Sequence, residues 1–227
     1  MTIDEPPTGP MPEPAQYLVE LGQHVLATTA ATGGSMPALM RLDRGQDASL
    51  MLSLPPDHIY EAIEAMPTAF GADVMVIAFD SFRSTLENDP RTDEPWTAGA
   101  MSEVAENGGI ALGLVAECMN IAYVERTPHG DVLTRLWSLG YERQQDGLHW
   151  TTGIDADDVS SDDPDDDPDM FALSGAGRMP AAMIAAMRIV TEWEPDADRA
   201  TLDMFSAHLA QRKFEADVWM QRPEESS

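Results

Sequence analysis

The segment Asp155 to Asp169, DADDVSSDDPDDDPD, holds nine aspartates and no base. Like charges repel, and the segment offers little apolar surface to bury, so it cannot build a folded unit of its own. It therefore divides the chain. Residues 14–152 read as a mixed α/β domain, 153–178 as an acidic Asp-rich linker or loop, and 179–221 as a C-terminal helical segment. Residues 1–13 read as a flexible, acidic, Pro-rich N-terminus, and 222–227 as a tail.

The acidity extends beyond that segment. Forty Asp and Glu face 13 Lys and Arg, for a formal charge of -27 on 227 residues. Such a field disfavours the nucleic-acid backbone and an anionic membrane, and it steers basic protein surfaces inward. With 43% hydrophobic residues the chain can still build a core. No apolar run approaches the roughly 18 residues that span a bilayer. The N-terminal MTIDEPPTGPMPEP lacks the basic and apolar regions of a secretory signal. A single cysteine, Cys118, rules out an internal disulfide framework and a cysteine-rich zinc cluster. These features describe a soluble protein with a cytoplasmic location, or a host-cytoplasm or virion location for a phage-encoded chain. Arginine outnumbers lysine twelve to one, Lys213 being the sole lysine. High-GC coding, bacterial or phage, explains that ratio, and salt adaptation competes with it.

Periodicity gives the elements. From Pro14, a helix sets Tyr17, Leu18, Leu21, Val25 and Leu26 on one face, and Gly33-Gly34 closes it. Met36–Asp43 and Ala48–Leu54 form a hairpin, stopped by Pro55-Pro56. Pro56-Asp57 opens a helix with Ile59, Ile63, Met66 and Phe70 inward and Pro67 late in it. Asp73–Phe82 is a strand, and its run Val74–Phe79 is apolar enough to be covered on both faces. Thr97 starts a short helix, with Trp96 and Met101 as its staple. Cys118–Arg126, Asp131–Leu139 and Leu148–Thr152 follow as strands. Beyond the aspartates come two more helices: one from Pro180 with Met183, Met187 and Val190, the other with Leu202, Phe205, Leu209, Ala216 and Met220. The fold class is α/β or α+β, a mixed β-sheet with flanking helices followed by a C-terminal helical pair.

Several residue sets could carry chemistry. Asp80 closes a buried strand, Asp43 closes another, and Glu117 precedes a third. Three carboxylates over a sheet could hold a divalent ion for hydrolysis. Asp163, Asp165, Asp167 and Asp169 alternate like oxygens of a calcium loop, yet without its glycine or its distal glutamate. They are candidates for weak divalent-cation binding only, and no cofactor is expected. His58 and Glu61 lie three apart on a helix, and two ligands do not make a metal site. Cys118 sits among apolar residues after Glu117, which raises a thiol's pKa instead of activating it. Gly33-Gly34-Ser35 and Gly175-Ala176-Gly177 lack the flanks of a phosphate loop. Met179, Met183 and Met187 recur every four residues, as core packing or as an adaptable docking face.

The reading that follows is an acidic, non-enzymatic interaction or accessory protein with a basic protein partner. A metal-dependent hydrolase using the strand-end carboxylates is the first alternative. A structural or assembly component of a virion is the second. Oligomeric state stays open at this level.

Overall fold

A computed structural model describes residues 11–32, 36–46, 48–55, 58–84, 86, 88–97, 99–127, 129, 131–144, 147–160, 178–188 and 190. The long elements are α1 (Glu13–Thr32), β1 (Ala38–Arg44), β2 (Ala48–Leu54), α2 (Ile59–Phe70) and β3 (Val74–Arg83). A connection follows, with the two-residue strands β4 (Asn88–Asp89) and β5 (Glu94–Pro95) and the short helix α3 (Ala100–Val104). The chain then runs through β6 (Ala116–Arg126), β7 (Val132–Gln144), β8 (Gly147–Ser160) and α4 (Arg178–Arg188).

The six long strands form one sheet in the order β2-β1-β3-β6-β7-β8. Every neighbouring pair is antiparallel. Helices flank this sheet, so the class is α+β. The alternation of side chains along each strand feeds two cores. Met75 and Ile77 of β3 face α2 and α4, together with Met40, Leu42, Ala122 and Val124. Val76 and Ala78 face α1, together with Leu39, Met119, Ile121, Trp137 and Tyr141. The continuous apolar run of β3 is thus covered on both faces, as its sequence requires.

Leu18, Val19 and Leu26 of α1 are buried on the sheet. Gly22 lets that helix approach closely, since a Cβ there would lie 2.5 Å from the Met119 sulfur. Tyr17, expected on the inner face, is 44% exposed. Its ring instead lies 5.2 Å from the Arg41 guanidinium, a partner that sequence spacing does not reveal. In α2, Ile59, Ile63 and Met66 are buried as the spacing predicts. Pro67 neither ends nor breaks that helix; it runs on to Gly71, whose φ of 66° supplies a left-handed cap.

Among the boundaries that differ from the sequence reading, where β7 also runs past Leu139 to Gln144, two stand out. The short helix starts at Ala100, not at Thr97: Gly99 is its cap, at φ 84°. Thr97 contributes its carbonyl, which accepts the Ala100 N–H at 3.1 Å. Trp96 and Met101 do share a third apolar cluster, with Val104 and Val115. The second difference is larger. β8 does not stop at Thr152 but continues to Ser160, pairing Leu136 with Asp157 and Leu133 with Ser160. Residues 153–160 of the expected linker are therefore strand. The long partner β7 supplies the reason: its backbone groups template a strand that composition alone disfavours. Residues 161–177, the Gly33-Gly34 cap and the second C-terminal helix lie outside the described residues.

α4 packs on the sheet beside α2. Met179, Met183 and Met187 are buried in the same core, so this methionine repeat is packing. One guanidinium holds the far end of this helical segment, the Arg126 Nη1 donating to the Val190 carbonyl at 2.8 Å.

Candidate functional site

The strand register decides which carboxylates meet. Asp80 pairs with Met119 and Glu117 with Phe82, so Asp80 and Glu117 share the α1 face as diagonal neighbours on β3 and β6. Tyr141 and Arg143 stand two residues apart on β7 and project to that same face. There the four side chains form one network. The Tyr141 hydroxyl donates to Asp80 Oδ1 at 2.5 Å. Arg143 Nη2 donates to the Tyr141 oxygen at 3.2 Å and to Asp80 Oδ2 at 3.4 Å. Arg143 Nε donates to Glu117 Oε1 at 2.9 Å. The Tyr141 ring also meets Trp150 edge to face, with centroids 6.2 Å apart.

Two carboxylates here face one guanidinium. Tyr141 is fully buried, while the Asp80, Glu117 and Arg143 side chains keep a partly open rim. Burial, and then Asp80, push the Tyr141 phenol far up, so it stays a neutral donor. Burial raises the Glu117 carboxyl above its usual range; Arg143 opposes this and Asp80 adds to it. Chemically the network is an acidic cluster whose oxygens are already engaged by O–H and N–H donors.

Asp43 is not part of it. It pairs with Val74 at the other end of β3, six residues from Asp80, or about 20 Å along the strand. There it accepts Arg41 Nε at 2.9 Å, and Arg41 reaches on to Glu13 at 3.0 Å. The expected convergence of Asp43, Asp80 and Glu117 is thus corrected by the register: two meet and the third does not. Asp163, Asp165, Asp167 and Asp169 lie outside the described residues. Among the described residues, no three His, Cys, Asp or Glu side chains are grouped so as to hold a metal ion. His58 Nδ1 pairs with Glu61 at 2.9 Å on α2, as their spacing allows.

Cys118 is 1% exposed on the opposite face of the sheet. Burial pushes its thiol up to about 11, against the Ser138 hydrogen bond and the Arg83 charge that pull it down. A pocket of about 120 Å³ opens nearby, lined by Ser81, Phe82, Thr97, Gly99, Met101 and Ser102. Small-molecule sites usually enclose about 300–1,000 Å³, so this one suits a few waters.

Sequence reading missed Tyr141 and Arg143. Both lie beyond Leu139, where the strand was expected to end; their spacing of two puts them on one face once β7 runs to Gln144, but nothing in one sequence ties that face to Asp80. It also missed the Asp89–Arg91–Glu103 set. There Arg91 grips the buried Asp89 at 2.6 Å and reaches Glu103 at 3.0 Å, fastening the β4–β5 turn to α3.

The fold and this cluster define an α+β protein with an arginine-bridged acidic network at one end of an antiparallel sheet. No family model matches the chain, and neither does any curated protein or solved structure. No helix among the described residues is long and apolar enough to cross a membrane.

Proposed function

We propose that this chain is a non-enzymatic interaction or accessory protein that docks a basic protein partner. One observation carries the reading: several of the scarce arginines are engaged within the fold. Arg41, Arg91, Arg126 and Arg143 are each held against carboxylates of the same chain. The -27 excess stands after all 13 Lys and Arg are counted against 40 Asp and Glu, and it projects a field that favours basic surfaces. The partner class is a protein; a polyanion such as nucleic acid is repelled by the same field.

The test is capture of partners from a source lysate by the full chain across a salt series, with identification of what is held. A basic protein whose retention falls steeply with salt is the expected result. Retention of acidic proteins, or binding unchanged at high salt, would overturn the electrostatic reading.

One observation keeps the hydrolase alternative in view, the meeting of Asp80 with Glu117. Asp80→Asn assayed with divalent ions on phosphoester and peptide substrates addresses it. Activity in the native chain that is lost in the variant would favour catalysis over docking.

A further inference from the structure

The sheet has two edges of opposite character. β8 carries Asp155, Asp157 and Asp158 in its second half. Charges on an edge strand are the usual device that stops two molecules from pairing there. β2, at the other edge, has the sequence ASLMLSL and no charge at all, in a chain where 23% of residues are charged. Its seven residues pair with β1 in unbroken register, free of bulge or proline. Among the described residues, no strand pairs with its outer side.

The strand is also symmetric, since Ser49-Leu50-Met51-Leu52-Ser53 reads the same in both directions. We propose that β2 pairs antiparallel with β2 of a second copy of this chain, about a two-fold axis through Met51. A two-fold interface must be self-complementary. Pairing about Met51 sets each Met51 opposite the other, and each Leu50 opposite the second copy's Leu52. Ser49 falls opposite the second copy's Ser53. Each opposed pair then matches in size and polarity, and none sets charge against charge.

The surroundings support a seam there. Leu50 and Leu52 are half-buried against the core of α2 and α4, and a second strand would cover their outer flank. Met51, 36% exposed, shares the other face with Ser49 and Ser53. Its neighbour on β1 is Arg41, which is bound by both Asp43 and Glu13. That set keeps one net negative charge beside the seam on each copy, so the repulsion between two copies has a local as well as a long-range part. It is screened over about 10 Å at 0.1 M salt. Self-pairing strengthens as salt rises, whereas a basic partner held by the field weakens, so the two interactions are separable.

The experiment measures the mass of the full chain by sedimentation or light scattering, at increasing concentration and salt. A monomer–dimer equilibrium that shifts toward dimer with salt is expected. Ser49→Lys with Ser53→Lys, at two exposed positions, abolishes the dimer. Register is read with thiols: Cys118 is buried, so a link between copies reports the new cysteine. Met51→Cys joins the copies under mild oxidation or a short bis-maleimide. Ser49→Cys alone does not, and Ser49→Cys with Ser53→Cys does. A strict monomer at high concentration and high salt would overturn the proposal. So would a dimer untouched by the lysine pair, a link at Ser49 alone, or occupation of β2 by an oligolysine peptide in place of the second copy.

Discussion

The Tyr141 hydroxyl is the tightest donor in the acidic network, and its removal isolates the effect. Tyr141→Phe keeps the ring against Trp150 and leaves Asp80 with Arg143 alone. Stability should fall by about 1.5–3 kcal/mol, the usual net worth of a hydrogen bond to a carboxylate. Urea unfolding checks this as a lower midpoint with an unchanged slope. Asp89 and Glu117 respond to pH with opposite signs. The Arg91 hydrogen bond holds the Asp89 carboxyl below its usual range, with burial working against it. Its stabilisation is present above the unfolded pKa and is lost as pH falls through the folded value. Arg91→Ala should therefore raise the Asp89 titration in carbon NMR and move acid unfolding to higher pH. Glu117, raised by burial, favours the fold when protonated, and that contribution fades as pH rises through its folded value. Cys118, with its thiol pushed up to about 11, should resist thiol reagents at neutral pH until the chain unfolds.

At the scale of elements, backbone proximity sets what can change. A Cβ on Gly109 would lie 2.3 Å from a Val104 methyl and 2.6 Å from the Val104 carbonyl oxygen. A carbonyl cannot swing aside, so Gly109→Ala should cost about 1–3 kcal/mol. Gly22→Ala crowds only the flexible Met119 side chain, with the Met36 sulfur at ordinary contact distance, and should cost less. Thermal unfolding of the two variants, side by side, ranks them; equal losses would contradict the packing described. The elements best legible in the sequence were those with strong local signals. β3 declared itself by its apolar run, the β1–β2 hairpin by its two strand-like runs and the Pro55-Pro56 stop, and α2 by its helical spacing. The extension of β8 to Ser160 was hidden because its signal is not local: a row of aspartates becomes strand only beside β7. The candidate site was half legible for the same reason. Asp80 and Glu117 stand out as strand-end carboxylates, but their meeting, and the exclusion of Asp43, depend on strand register across the sheet.

For the whole molecule, charge and topology govern behaviour. Net charge far from zero strains the compact state through self-repulsion. Added salt should therefore raise the melting temperature of the chain, measured at a concentration low enough to hold association constant. A melting temperature that falls with salt would mean that the internal Arg–carboxylate pairs outweigh the excess. Topology makes a different demand. One face of the sheet, with Met40, Leu42, Met75, Ile77, Ala122 and Val124, is sealed by α2 together with α4, and α4 is the last element described. Chains emerge from the ribosome N-terminus first. The sheet can assemble once β8 has appeared, yet this face stays partly bare until residue 190 arrives for Arg126 to grip. The acidic residues after Ser160 lie between those two moments of synthesis. They lengthen the interval in which a half-built molecule shows an oily surface, and their own charge keeps neighbouring nascent chains apart while that interval lasts.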